Sequence, residues 1–157
     1  MRISGIIVAA SLFIGTSAMA ADPVGPNLTP RLKELIAKEM QQVAEATSDL
    51  AVAISAGDHH TVMELGIAVR DSFILKKSLT DQDKKDLMGA VPKEFVALDR
   101  DFHGLAGKLA HAAEAKDSEL QGFYFAEMLQ RCVACHSHFA TDKFPGFAKD
   151  SGGGHDH

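Results

Sequence analysis

The apolar residues between Phe95 and Ala112 constrain the fold of this chain most. Phe95, Leu98, Phe102, Leu105, Leu109 and Ala112 recur at intervals of three and four, the period that lays one apolar stripe along an α-helix. Three further proline-free segments carry the same kind of pattern. The first is framed by Thr29 as N-cap, Pro30 at the first helical position and a terminating Gly57, with Leu32, Ile36, Met40, Val43, Thr47, Leu50 and Ile54 on its expected stripe. The second starts near Asp58, or at Thr61 with Glu64 completing a capping box, runs through Val62, Leu65, Val69, Phe73 and Ile74, and is expected to end near Ser78. The last begins at Asp117-Ser118 and aligns Leu120, Tyr124, Met128, Cys132, Cys135 and Phe139.

No segment alternates with period two over a useful length, so no strands are expected. The connector Leu79 to Val91 has room for a short extra helix over Thr80 to Leu87, before the Gly89 to Pro92 break. Four amphipathic helices of about 20 to 27 residues with mostly short links are what an antiparallel four-helix bundle requires. The expected fold is all-α.

Met1 to Ala20 has one basic residue, Arg2, an apolar stretch from Ile6 to Ile14 and the small-residue ending Ala18-Met19-Ala20, the pattern of a secretory signal cleaved before Ala21. No later stretch is long and apolar enough to span a bilayer. The expected organisation is a signal peptide over residues 1–20, a helical domain over 21–150 and a flexible Gly/His tail over 151–157. Removing Arg2 leaves 15 basic residues against 21 acidic, a net charge of −6. That balance argues against nucleic acid as a partner. With two cysteines in the whole chain, a disulfide framework is not available, so stability must come from packing or from a bound group.

Those two cysteines stand in Cys132-Val133-Ala134-Cys135-His136, a C-x-x-C-H sequence with the spacing of covalent c-type haem attachment. On a helix the two thiols lie on neighbouring turns, where they can add to the two vinyl groups along one porphyrin edge, and His136 can bring a neutral imidazole nitrogen to the iron. Haem c is made outside the cytoplasm, which agrees with an exported chain and a periplasmic location. A thioredoxin-like redox pair and half a zinc site share the C-x-x-C element. The first needs a strand-to-helix setting, and the second needs two more ligands. Arg131, just before the motif, is a candidate partner for a haem propionate.

The run Met128-Leu129-Gln130-Arg131-Cys132-Val133-Ala134-Cys135-His136, preceded by a helix that closes in Ala112-Ala113-Glu114-Ala115-Lys116-Asp117, resembles the cytochrome c prime group, the class II c-type cytochromes. The resemblance implies an antiparallel four-helix bundle with haem on the last helix, and a dimer through the first two helices. The stretch Ser137 to Phe147, with Phe139, Phe144 and Phe147, is longer than the family's short basic end. The resemblance also implies that the residue facing the iron across the haem comes from the first helix. A methionine there goes with six-coordinate electron carriers; an apolar residue goes with five-coordinate proteins that bind small gases such as nitric oxide or carbon monoxide.

No methionine follows His136, and Met40 is the one methionine of the first helical segment. His136 and Met40 are therefore the expected axial ligands of an electron-transfer protein serving periplasmic redox partners, with gas binding as the alternative. Met63 and Met128 read as core and Met88 as part of the connector; His59, His60, His111 and His138 read as solvated, and His103 as a partly exposed helix residue. An enzyme is not expected, since Glu39 and His103 are the nearest candidates for a distal acid–base pair and nothing in the sequence aims them at a common point. His155 and His157 make a poor metal site on a flexible tail.

Overall fold

Thr29 accepts a hydrogen bond from the Leu32 amide at 3.2 Å and Pro30 supplies a preset φ, so helix α1 (Pro30–Ala56) begins where the capping residues predict. It closes on Gly57, whose φ of 68° is the left-handed conformation that ends helices most cheaply with glycine. Helix α2 (His59–Arg70) is capped by Asp58, which accepts from the Thr61 amide; the alternative start at Thr61 with Glu64 is not used. The structure, a computed structural model, describes residues 22–148. The expected leader over residues 1–20 and the tail over 151–157 lie outside the described residues.

The second helix does not reach Ser78. It stops at Arg70, Ser72 takes a left-handed φ of 60°, and a single turn, α3 (Leu75–Ser78), follows. The cause lies on α1. The Glu39 carboxylate accepts hydrogen bonds from Ser72 Oγ at 2.8 Å and from the amides of Phe73, Ile74 and Leu75 at 3.0, 2.6 and 3.0 Å. Three backbone amides turned toward one buried anion cannot also donate within a continuous helix, so the chain breaks there.

The connector forms α4 (Asp81–Ala90), longer than expected, with a complete Thr80/Asp83 capping box. Arg31 of α1 reaches the same Asp83 carboxylate at 3.1 Å and the Ser78 carbonyl at 3.1 Å, tying the connector to the start of the first helix. Helix α5 (Lys93–Glu114) and helix α6 (Ser118–Phe139), the latter capped by Asp117, fall where the periodicity places them. Every regular element among the described residues is helical, with two short 3-10 turns at Gly25–Asn27 and Pro145–Phe147. No helix among them is long and apolar enough to cross a membrane.

Helix α5 is the central packing element, lying against α2 on one side and α6 on the other. Small residues let α2 and α5 approach closely: a Cβ on Gly66 would lie 3.0 Å from the Ala106 carbonyl oxygen and 3.1 Å from Ala110. The core is divided into two clusters. One joins Ala46, Leu50, Ala53, Val62, Val69, Ala106, Leu109, Ala113 and Met128; the other, at the opposite end, joins Val24, Leu28, Leu32, Val91 and Phe139. Fully burying a leucine such as Leu50 contributes about 2 kcal/mol. Burial along α5 is uneven. The second half of α5 buries Ala106, Gly107, Leu109, Ala110, Ala112 and Ala113, yet in its first half Phe95, Val96, Leu98, Phe102 and Leu105 are all only half-buried.

The buried stripe of α1 is Leu32, Leu35, Glu39, Val43, Ala46, Leu50 and Ala53, rotated from the expected one. Ile36, Thr47 and Ile54 fall on its shoulder, and Met40 is 41% exposed. The expectation that Met40 lies within the buried stripe is therefore corrected. The physical reason is that Glu39, drawn inward by its four donors, takes the inward position of that turn, and adjacent helix positions differ by about 100°.

Candidate functional site

Cys132, Cys135 and His136 occupy the last two turns of α6 at positions i, i+3 and i+4, which share one face of a helix. All three are half-buried. Cys135 packs against the cluster of Leu32, Val91 and Phe139, beside Ile36 of α1 and Phe95 and Leu98 of α5. Both thiols are free. Burial pushes both upward in pKa, Cys135 to about 11, where the nearby Asp99 and Cys132 charges add to the effect.

Thiols of that kind are protonated at neutral pH, unlike the low-pKa cysteine that thiol–disulfide exchange uses, and they sit at the end of a helix rather than after a strand. No group of three or more His, Cys, Asp or Glu side chains that could hold a metal ion exists among the described residues, so the half zinc site finds no completing ligands there.

Burial lowers the pKa of His136, which favours the neutral imidazole that ligates metals. Its ring is stacked on Phe144, with centroids 4.0 Å apart and planes 15° from parallel. Arg131 lines a groove of about 420 Å³ along α5 and α6 together with Arg100, Asp101, Gly104, Leu105 and Lys108. Its Nε is buried without a hydrogen-bond partner, and its other contact is a long one to Glu127 at 3.9 Å. A buried guanidinium donor left open beside Cys132 is suited to an anionic oxygen.

On α1, Ile36 reaches the cluster that holds Cys135, and Met40 is one turn further along on the same flank. Met128 is buried, Met63 packs at the edge of the core, and Met88 is exposed on α4. Glu39 and His103 are committed elsewhere: the carboxylate to residues 72–75, and the His103 Nδ1–H to the Val69 carbonyl at 2.6 Å. His60, His111 and His138 are exposed as expected. His59 is not; it is half-buried and hydrogen-bonded to Gln121, which is 1% exposed.

Two features of the site escaped sequence reasoning. The Glu39 network joins residues more than thirty positions apart, and the expected stripe, which ran through Met40, gave no sign of it. The Phe144 stack was signalled by the aromatic-rich extension after the motif, without its direction. Compared with known proteins, the chain matches no family model, no characterised protein and no solved structure.

Proposed function

We propose that this chain is a monohaem c-type cytochrome with an antiparallel four-helix bundle, acting in electron transfer in the periplasm. The observation that carries this reading is the C-x-x-C-H motif on α6, with both thiols half-buried and Cys135 packed against the apolar cluster of Leu32, Val91 and Phe139. A bound haem supplies one-electron chemistry there. Cys132 and Cys135 would hold it through thioethers, and His136 would offer its imidazole to the iron. The open Nε of Arg131 suits a propionate. Phe95, Leu98, Phe102 and Leu105, half-buried without a cofactor, would wall the group and keep water from it, which raises the potential.

Met40, one turn beyond Ile36 on α1, would offer its thioether as the second ligand. Its 41% exposure favours a second reading, in which no thioether is held in place and the protein is a five-coordinate binder of nitric oxide or carbon monoxide. Absorption spectra of the oxidised and reduced protein, with and without carbon monoxide, separate the two. The electron carrier is low-spin and resists carbon monoxide, and Met40→Ala makes it high-spin and reactive. A wild-type protein that is already high-spin and binds carbon monoxide fast moves gas binding ahead.

Attachment is tested by replacing Cys132 and Cys135 together with Ala, after which acidified solvent should extract the haem; haem that remains covalently bound overturns the thioether assignment. Export is tested by the N-terminus of the mature protein, expected at Ala21. Val52 of α1 and Ile67 of α2 are exposed apolar residues on the two helices through which a homodimer of this class would form, and sedimentation of the purified protein reads that state directly.

A further inference from the structure

Beyond the attachment motif, the segment that follows α6 has a defined geometry. The Ala140 amide closes the helix on the His136 carbonyl, and the amides of Lys143 and Phe144 both donate to the Ala140 carbonyl at 2.9 Å. The chain therefore reverses at once and lays Phe144 back over the final turn. A 3-10 turn, Pro145–Phe147, holds it from the far side through the Phe147 amide on the Phe144 carbonyl. From the other end of the chain, the Val24 amide donates to the Phe139 carbonyl at 3.0 Å, and Gly25 lies so close to Asp142 that a Cβ there would meet its carboxylate at 2.9 Å. The turn carrying Phe144 is thus fixed on both flanks.

A ligand histidine is ordinarily oriented by a hydrogen bond to its second ring nitrogen. At this end of α6 the hydrogen bonds go elsewhere: Ser137 Oγ and the His138 Nδ1–H both donate to the Ala134 carbonyl. Among the described residues none holds the His136 ring. What does contact it is Phe144, face to face at 4.0 Å. A stack of this kind covers the π face of the imidazole and leaves both ring nitrogens free, because the lone pair of the unprotonated nitrogen and the N–H bond of the other both lie in the ring plane. It limits rotation of the ring without competing for its donor atom.

We infer that Phe144 is a positioning residue that sets the plane of the His136 imidazole by stacking, in place of the usual hydrogen bond. The inference rests on the reading of His136 as an iron ligand. The test uses the holoprotein. Covalent haem is first measured in the unmodified chain, and the hyperfine-shifted haem methyl resonances of the ferric form, whose order and spread follow the axial imidazole plane, are then compared across variants. Phe144→Tyr keeps the stack and should keep the wild-type order. Phe144→Leu, which preserves much of the volume, and Phe144→Ala should both lose it.

Thermal unfolding measured on the same samples distinguishes lost positioning from a general loss of stability, which by itself leaves the methyl pattern in place. If Phe144→Ala does not accumulate, Phe144→Leu decides. Retention of the wild-type order in Phe144→Leu, or its loss in Phe144→Tyr, overturns the inference while leaving the haem assignment intact. Absence of covalent haem from the unmodified protein overturns the haem assignment and the inference together.

Discussion

At the scale of single residues, Glu39 carries the largest consequence. Burial opposes its ionisation, but the hydrogen bonds from the Leu75 amide, Ser72 and the Ile74 and Phe73 amides outweigh that and hold its pKa below the ordinary 4.5. A carboxylate whose pKa is lowered in the folded state adds stability above its unfolded pKa and loses it as pH falls through the folded value. Glu39→Gln places an amide among four donors and is expected to cost about 2 to 3 kcal/mol at neutral pH, read as a shift in the urea midpoint. The difference from wild type should shrink as pH falls below 4.5 and the native carboxylate protonates. A constant difference across that range would exclude the charged network.

His103 works in the opposite sense. The hydrogen bond to Asp99 raises its pKa above 6.5, against burial, with help from the Asp99 charge and the Val69 carbonyl. Its contribution is complete well below pH 6.5 and is lost as pH rises through the raised value, so His103→Gln should flatten the stability profile above pH 6.5.

At the scale of elements, the contact between α2 and α5 depends on the absence of a side chain. A Cβ on Gly66 would press on the Ala106 carbonyl and the Ala110 backbone of the facing helix, which has no flexible atom to yield. Gly66→Ala should therefore destabilise by about 1 to 2 kcal/mol, overpacking outweighing the gain in helix propensity. Gly104, on the outer face of α5, has nothing within 4 Å of its Cβ position. Gly104→Ala should stabilise by up to about 1 kcal/mol. The same thermal unfolding measurement reads both, and the two substitutions should move the midpoint in opposite directions.

At the scale of the whole molecule, the two core clusters are joined through half-buried side chains of α5 and α6. Under the proposed function this region is completed by haem, which would cover large apolar residues such as Phe102 and Leu105 that are otherwise only half-buried. A chain produced without haem attachment is expected to keep helical far-ultraviolet circular dichroism while losing dispersed side-chain NMR signals and binding hydrophobic dyes. Native-like dispersion in the haem-free chain would show that the interior closes on its own.

By itself the sequence determined the all-helical class, the ends of α1, α5 and α6 and the existence of a helix in the connector. These depend on local spacing and on capping groups within a few residues of each helix end: Thr29 with Pro30, Gly57, the Thr80/Asp83 box and Asp117. The C-x-x-C-H motif was likewise legible because its chemistry needs three residues on one helical face. What only the tertiary structure decided was how far α2 runs, which way α1 faces and what touches His136. The first two turn on Glu39: a period of 3.6 marks a stripe to within about one residue, and a buried carboxylate that collects donors from residues 72–75 rotates that stripe and breaks the neighbouring helix. The Phe144 stack depends on a reversal of the chain held from the other terminus, a contact that no local pattern encodes.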